Sequence, residues 1–92
     1  MDISARLTSW VERHFDDPQA VLAVLSDLPS TVIGGQDVER IQASLVISTG
    51  GDPRLFGQQL AWAEQDWRDA LVSSGLGNAD WPAVLEEVLG PP

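Results

Sequence analysis

The sequence predicts an all-α fold, a compact irregular bundle of about five helices in a single domain that spans residues 1–92. Apolar residues recur at intervals of three and four along almost the whole chain, as they do on one face of an α-helix. Aspartates and glycines of the kind that start and end helices separate these stretches. With 92 residues, 43% of them hydrophobic and 21% charged, the chain has the size and composition of one folded domain.

The first predicted helix spans about residues 2–14. Its apolar stripe consists of Ile3, Leu7, Trp10, Val11 and His14. Asp2 is expected to cap the start of this helix, because a carboxylate there accepts hydrogen bonds from free backbone N–H groups. Asp2 is also expected to pair with Arg6, four residues further on.

The second predicted helix spans about residues 18–28 and begins at an Asp-Pro pair. Asp17 is expected to act as the N-cap, and Pro18 fits the first helical position because its missing N–H would have no partner there. Nearly every residue of this stretch is apolar. The helix is therefore expected to be central in the bundle and largely buried.

The third predicted helix begins at Asp37, after a loop over residues 29–36, and ends at Gly50 and Gly51. Its run Leu45-Val46-Ile47 is rich in β-branched side chains, so a short strand is the alternative. A helix is favoured because the sequence offers no second strand of quality to pair with it.

The fourth predicted helix is the longest, about residues 53–74, which corresponds to about 33 Å. Asp52 and Pro53 start it and Gly75 ends it. Within it, Glu64 and Arg68 are expected to form a pair four residues apart. The last predicted helix spans about residues 80–89. Capping is expected at all five helix starts, by Asp2, Asp17, Asp37, Asp52 and Asp80.

The charge balance excludes several classes of partner. The chain has 14 acidic residues and five arginines, no lysine, and a formal net charge of −9. Phosphate binding needs clustered basic residues, whereas these arginines are scattered, so no nucleic-acid partner and no membrane surface are predicted. No apolar run approaches the ~18 residues that span a bilayer, and the first residues lack a signal-peptide pattern. A cytoplasmic protein is expected.

The residues available for catalysis are few. The absence of cysteine excludes disulfides, thiolate chemistry and cysteine-based metal sites. His14 is the only histidine, and it is expected to be partly buried and to pack its ring at the end of the first helix. Three pairs of nearby acids, Asp16 with Asp17, Asp66 with Asp69 and Glu86 with Glu87, lack the spacing of a calcium loop. No catalytic, cofactor-binding or metal-binding residue is predicted, and no cofactor.

Trp62 is the residue that most suggests a function. At 100° per residue it lies about 160° from Leu60, almost opposite the apolar stripe of the fourth helix. Either another helix of the domain covers this side chain, or it is exposed as the anchor of an interface, where tryptophan is enriched. The candidate interface consists of Trp62, Asp66 and Asp69. The other tryptophans, Trp10, Trp67 and Trp81, lie on apolar stripes and are expected in the core.

Three short motifs within residues 38–76 resemble a pattern found in small bacterial helical proteins that have no assigned activity. They are Glu39-Arg40-Ile41-Gln42 on one helix, the turn Gly50-Gly51-Asp52, and Asp66-Trp67-Arg68-Asp69 on the next helix. The resemblance implies a small bacterial, actinobacterial-type helical protein and supplies no catalytic residue. It also singles out a polar cluster that joins the third and fourth helices, with either a structural or a functional role: Arg40, Gln42, Asp66, Arg68 and Asp69.

Three functions are therefore considered. The leading hypothesis is a non-enzymatic cytoplasmic protein-interaction module, whose partner is an unidentified protein or a second copy of the chain. The first alternative is an inhibitor or antitoxin-like protein that occupies a basic site on its partner. The second is a small carboxylate-dependent enzyme, which would need two acids converging in one cleft.

Overall fold

The structure, a computed structural model, describes residues 2–92 of the chain. Seven helices lie within this range. They are α1 (Ala5–His14), α2 (Pro18–Ser26), α3 (Ser30–Ile33), α4 (Val38–Ile47), α5 (Pro53–Gln65), α6 (Trp67–Ser74) and α7 (Trp81–Leu89). The all-α prediction is confirmed, whereas the number of helices is two higher than predicted. α3 lies in the predicted loop over residues 29–36, and the long fourth helix is divided into α5 and α6. None of these seven helices is long and apolar enough to cross a membrane.

The centre of the fold is α4, which contacts α1, α3, α5, α6 and α7. Six consecutive residues of α4, Ile41–Val46, are buried, including the small Ala43 and Ser44. Because Ala43 and Ser44 are small, neighbouring helices can also approach α4 closely on the face that carries these two residues. The alternative of a strand at residues 45–47 is wrong, because these residues complete α4.

The prediction that the second helix is the central one is wrong. Within α2 only Val21 and Leu25 are buried, while Ala20 and Ala23 are exposed. An apolar sequence permits a helix to be buried, but the fraction of its surface that is buried depends on how the neighbouring helices pack against it. α2 packs against α1 and keeps one side open.

The start of α1 differs from the expectation at two points. Its N-cap is Ser4, whose hydroxyl accepts a hydrogen bond from the Leu7 N–H at 3.3 Å. Arg6 does not pair with Asp2, which precedes the helix. Its guanidinium instead holds Glu39 of α4 through two hydrogen bonds, Nη2 to Oε1 at 2.6 Å and Nε to Oε2 at 2.8 Å.

The long predicted helix is interrupted at Asp66. This residue has an extended backbone, with φ −154° and ψ 104°. Its N–H donates to the Trp62 carbonyl at 2.8 Å and closes α5, while its carboxylate accepts from the Arg68 N–H at 3.1 Å and caps α6. The predicted Glu64–Arg68 pair is wrong, because the break removes its helical spacing and the Arg68 side chain binds Asp66 instead.

The other helix ends agree largely with the sequence. Capping is confirmed for three aspartates, whose carboxylates accept backbone N–H groups of the first turn: Asp17, Asp37 and Asp52. Asp80 precedes α7 without a side-chain capping hydrogen bond, contrary to expectation. Gly75 ends α6 with a φ of +80°, a left-handed conformation that glycine adopts without a steric penalty.

Three of the four tryptophans contribute to the apolar core. Trp10 is buried and makes an edge contact with Phe15, which in turn makes an edge contact with Phe56. Trp67 and Trp81 are partly buried and pack against the buried core. The fourth, Trp62, lies outside this group.

Candidate protein-interaction surfaces

Trp62 lies on the last turn of α5 with 48% of its surface exposed. Beside it is Val72 of α6, which is 75% exposed and is the most exposed of the large apolar side chains in the described chain. Together with Asp69 and Ser73, these two residues line a shallow cavity of about 370 Å³. Neighbouring helices of the same chain therefore leave about half of this tryptophan uncovered.

The break at Asp66 creates this arrangement. In one continuous helix, Trp62 and Val72 would be separated by about 15 Å along the axis, because each residue adds 1.5 Å. Where α5 ends, the chain turns and α6 packs against both α4 and α5. The turn brings α6 alongside the end of α5, so that Trp62 and Val72 share a cavity.

Of the three predicted interface residues, Trp62 and Asp69 line this cavity, whereas Asp66 does not. The Asp66 carboxylate is occupied by the N–H of Arg68 and by its guanidinium, with Nε to Oδ1 at 3.0 Å. These hydrogen bonds to Arg68 hold the pKa of the Asp66 carboxyl below its usual value. The role of Asp66 in the fold is to end α5 and begin α6.

On the other side of Val72 lies a second shallow cavity, of about 350 Å³, whose charged lining residues are Arg40 and Arg68. The Arg68 guanidinium is 5.9 Å from the centre of the Trp67 ring and its side chain is largely exposed. Val72 therefore separates an acidic cavity from a basic one. We call the two cavities and Val72 together the α6 surface, defined by Trp62, Asp69, Val72, Ser73, Arg40, Trp67 and Arg68.

The predicted polar cluster of Arg40, Gln42, Asp66, Arg68 and Asp69 does not form one group. Arg40 donates from Nε and Nη2 to the Leu76 carbonyl, at 2.9 and 2.8 Å, and so fixes the segment after α6. Gln42 is buried, and its amide donates to the Leu25 carbonyl of α2 at 3.1 Å. Arg40 and Gln42 are two residues apart on α4, which corresponds to about 200° of rotation around the helix axis. Their side chains therefore contact different neighbours.

A second surface, which the sequence did not indicate, runs between α2 and α5. It consists of two adjoining cavities of about 330 and 320 Å³ that share Val24. The other principal apolar side chains that line them are Phe15, Val21, Leu28, Phe56 and Leu60. The acids that line them are Asp16, Asp17, Asp27 and Glu64. We call this surface the α2–α5 groove.

The sequence does not reveal the α2–α5 groove, and the reason is physical. Apolar spacing identifies which face of a helix avoids water, but not whether two such faces close against each other or stay apart. Phe56 and Leu60 lie four residues apart, on the apolar stripe that the sequence predicts for the fourth helix. The acids beside them, such as Asp16 and Glu64, are a weak signal because most acids of any helix face solvent.

His14 packs its ring at the end of α1, as expected, although the residue is exposed and not partly buried. The imidazole stacks on Trp10 with 3.9 Å between ring centroids, and its Nδ1 lies 2.7 Å from the Trp10 carbonyl oxygen. Over residues 2–92, no group of three or more histidine or acidic side chains is arranged to hold a metal ion.

Comparisons with protein-family models, with curated proteins and with solved structures found no match to this chain. The resemblance of residues 38–76 to small bacterial helical proteins therefore stays a prediction. The two surfaces, with their apolar and charged side chains, are the basis on which a function is proposed.

Proposed function

We propose that this protein is a non-enzymatic protein-interaction module that associates with a second copy of itself through the α6 surface. The observation that carries the proposal is Trp62, half exposed beside an even more exposed Val72. Tryptophan contributes more than most residues to the binding energy of interfaces, and adjoining exposed apolar side chains are typical of contact sites.

The charges around Val72 support a second copy as the partner. Asp69 lies on one side of Val72 and Arg68 on the other. A twofold axis through the Val72 side chains would bring Asp69 of each copy opposite Arg68 of the other, since twofold contacts use the same patch twice. The apolar centre of such a contact would cover Trp62, and the charges would fix its orientation.

The non-enzymatic part of the proposal is supported by what the candidate catalytic residues do. The His14 ring is stacked on Trp10, and its Nδ1 is hydrogen-bonded to the Trp10 carbonyl. These contacts give the ring a structural role. Asp17 of the adjacent pair Asp16–Asp17 caps α2. A cytoplasmic location is part of the proposal, since a chain without cysteine fits a reducing compartment.

Sedimentation velocity from about 5 μM to 1 mM protein tests the association. We expect a monomer–dimer equilibrium that the substitution Val72→Ser weakens about tenfold, which corresponds to ~1.4 kcal/mol. Val88→Ser is the matched control, because Val88 is an exposed valine on α7, outside the α6 surface. A chain that is monomeric at 1 mM, or equal effects of the two substitutions, contradicts the proposal.

A charge exchange tests the orientation of the two copies. Asp69→Arg and Arg68→Glu are each expected to weaken self-association, because each places like charges opposite one another. A mixture of the two variants restores both opposite-charge pairs and is expected to form a heterodimer. If the mixture forms no dimer, as the single variants form none, the twofold arrangement is excluded.

The inhibitor or antitoxin-like function is the second candidate, and the acids of the α2–α5 groove favour it. They offer complementary charge to a basic segment of another protein. The carboxylate-dependent enzyme is not proposed, because the one adjacent pair of acids in the more enclosed cavity includes the capping residue Asp17.

A further inference from the structure

We propose that the α2–α5 groove binds an amphipathic helix of a partner protein, with an apolar stripe flanked by lysine or arginine. The groove lies on the flank of α5 that carries Leu60 and Glu64, away from Trp62. The inference is therefore independent of self-association through the α6 surface. It names the chemistry of a partner for a second surface of the same molecule.

The residues that line the two cavities indicate that α2 and α5 run in the same general direction. The more enclosed cavity is lined by the beginnings of both helices, including Ala20 of α2 and Pro53 of α5. The second cavity is lined by Asp27, just after α2, and by Glu64 near the end of α5. From Asp17 to Asp27 the groove is about 15 Å long at 1.5 Å per residue. This length accommodates about ten residues of a bound helix, or nearly three turns.

The floor of the groove is apolar and well supported. Under the first cavity, Phe15 and Phe56 meet edge to face with 5.9 Å between ring centroids, and both are nearly buried. Leu60 and Val24 continue the floor toward the second cavity. Two successive apolar cavities along one axis match a helix that presents anchors at positions i, i+3 or i+4, and i+7.

The wall of the groove has room for a second backbone. Ala20 and Ala23 lie on the open side of α2, and both are exposed. Each lines one of the two cavities. Side chains this small let a helix approach closely, so that its apolar stripe reaches the floor.

The charges of the groove indicate that the partner carries positive charge. Asp16, Asp27 and Glu64 line the groove, and none of them forms an ion pair within residues 2–92. Among the described residues, no arginine lines either cavity. A second copy of this chain is a poor occupant, because the sequence has no lysine and its five arginines are scattered, so it offers no stretch with clustered basic residues. A helix flanked by basic residues is both attracted and oriented by this arrangement.

A synthetic peptide provides the probe. We choose a 14-residue peptide with leucines at i, i+3 and i+7 and lysines beside them, capped at both ends, and measure its binding by calorimetry at 50 mM NaCl. A peptide of the same composition in scrambled order is the control for charge alone. We expect the first peptide to bind at least tenfold more tightly, and amide NMR shifts to concentrate at Val24, Leu60 and their neighbours.

Filling the groove tests the site. The double substitution Ala20→Gln with Ala23→Gln places bulk on its wall and is expected to weaken binding at least tenfold. The matched control is Ala61→Gln with Ala83→Gln, two exposed alanines that line neither cavity, for which we expect less than a twofold change. Circular dichroism checks that both variants are folded.

Removing charge tests the orientation. Neutralising Asp16, Asp27 and Glu64 to their amides is expected to weaken binding about tenfold, since each exposed pair contributes modestly. The control neutralises three exposed acids outside the groove, Glu12, Asp80 and Glu87, and changes the net charge equally. For this control we expect less than a threefold effect.

Three outcomes would overturn the inference. They are failure of the peptide to bind at 1 mM, equal losses in the groove variants and their controls, and NMR shifts that map to the α6 surface. Failure of self-association is a separate result, because Val72→Ser is expected to leave peptide binding unchanged. The two proposals are thus tested by different substitutions in different measurements.

Discussion

Gly34 illustrates a single residue whose identity is required by a distant side chain. Its φ is +63°, and a Cβ at this position would overlap the indole of Trp67. Gly35 has a similar φ of +76°, yet a Cβ there would meet no atom within 4 Å. The two adjacent glycines therefore share a backbone requirement, and only Gly34 has a packing requirement as well.

This difference makes a prediction. Gly34→Ala is expected to lower the free energy of unfolding by about 2–4 kcal/mol, because it adds overlap with Trp67 to the cost of a left-handed alanine. Gly35→Ala is expected to cost only about 1–2 kcal/mol, the backbone part. Urea unfolding followed by circular dichroism measures both. Equal losses would show that Trp67 moves aside without cost.

The sequence singles out Trp62 because its position opposite the apolar stripe is a local property of one helix. What covers it is not local. The sequence left open whether another helix packs there, and about half of the side chain is exposed. The cavity that Trp62 shares with Val72 depends on the turn at Asp66. The spacing Asp66-x-x-Asp69 was the available signal, since an acid at the N-cap and another three residues later are typical of a helix start.

At the scale of helices, the Arg6–Glu39 pair joins α1 to the central α4. Both side chains are mostly buried, and Glu39 accepts hydrogen bonds from both Arg6 and the Ser4 hydroxyl. These contacts, with Arg6 foremost, hold the pKa of Glu39 below its usual value although partial burial opposes them. The folded state therefore binds fewer protons at this carboxyl than the unfolded state does.

We expect Glu39→Gln to lower the free energy of unfolding by about 1–3 kcal/mol at pH 7, because it leaves Arg6 without its charged partner. The contribution of Glu39 is complete above its unfolded pKa of about 4.3 and is lost as the pH falls through the lower folded pKa. The difference between wild type and variant should therefore shrink between about pH 5 and pH 3.

Urea unfolding at pH 7, 5, 4 and 3 measures this change. Glu12→Gln is the matched control, since Glu12 lies on α1 and is exposed. A stability difference that stays constant down to pH 3 would contradict the assignment of the pH effect to Glu39.

At the scale of the whole molecule, the acidic side chains outnumber the arginines that could neutralise them by forming ion pairs. Within residues 2–92, three of the five arginines form ion pairs, with Glu39, Asp52 and Asp66. The surplus of acids lies mostly on exposed surface, where charges repel one another over a distance set by the salt concentration. Some of this repulsion is concentrated at the α2–α5 groove.

Salt is therefore expected to stabilise the isolated protein. Raising NaCl from 10 to 150 mM shortens the screening length from about 30 to 8 Å, and we expect the Tm to rise by roughly 3–6 °C. Thermal unfolding followed by circular dichroism measures the shift. The variant neutralised at Glu12, Asp80 and Glu87 should show a smaller rise. A Tm that falls with salt would mean that the three ion pairs outweigh the repulsion.

The sequence by itself determined the helical class, the capping roles of Asp17, Asp37 and Asp52, and the stop at Gly75. These depend on residues within about four positions of one another, where helical geometry fixes the distances.

Only the tertiary structure decided that α4 is central, that Arg6 binds Glu39, and that α2 and α5 stay apart as a groove. Each of these depends on residues distant in sequence, and their proximity depends on how much of each surface the neighbouring helices cover. Apolar spacing states that a face avoids water, but it does not state which other face meets it.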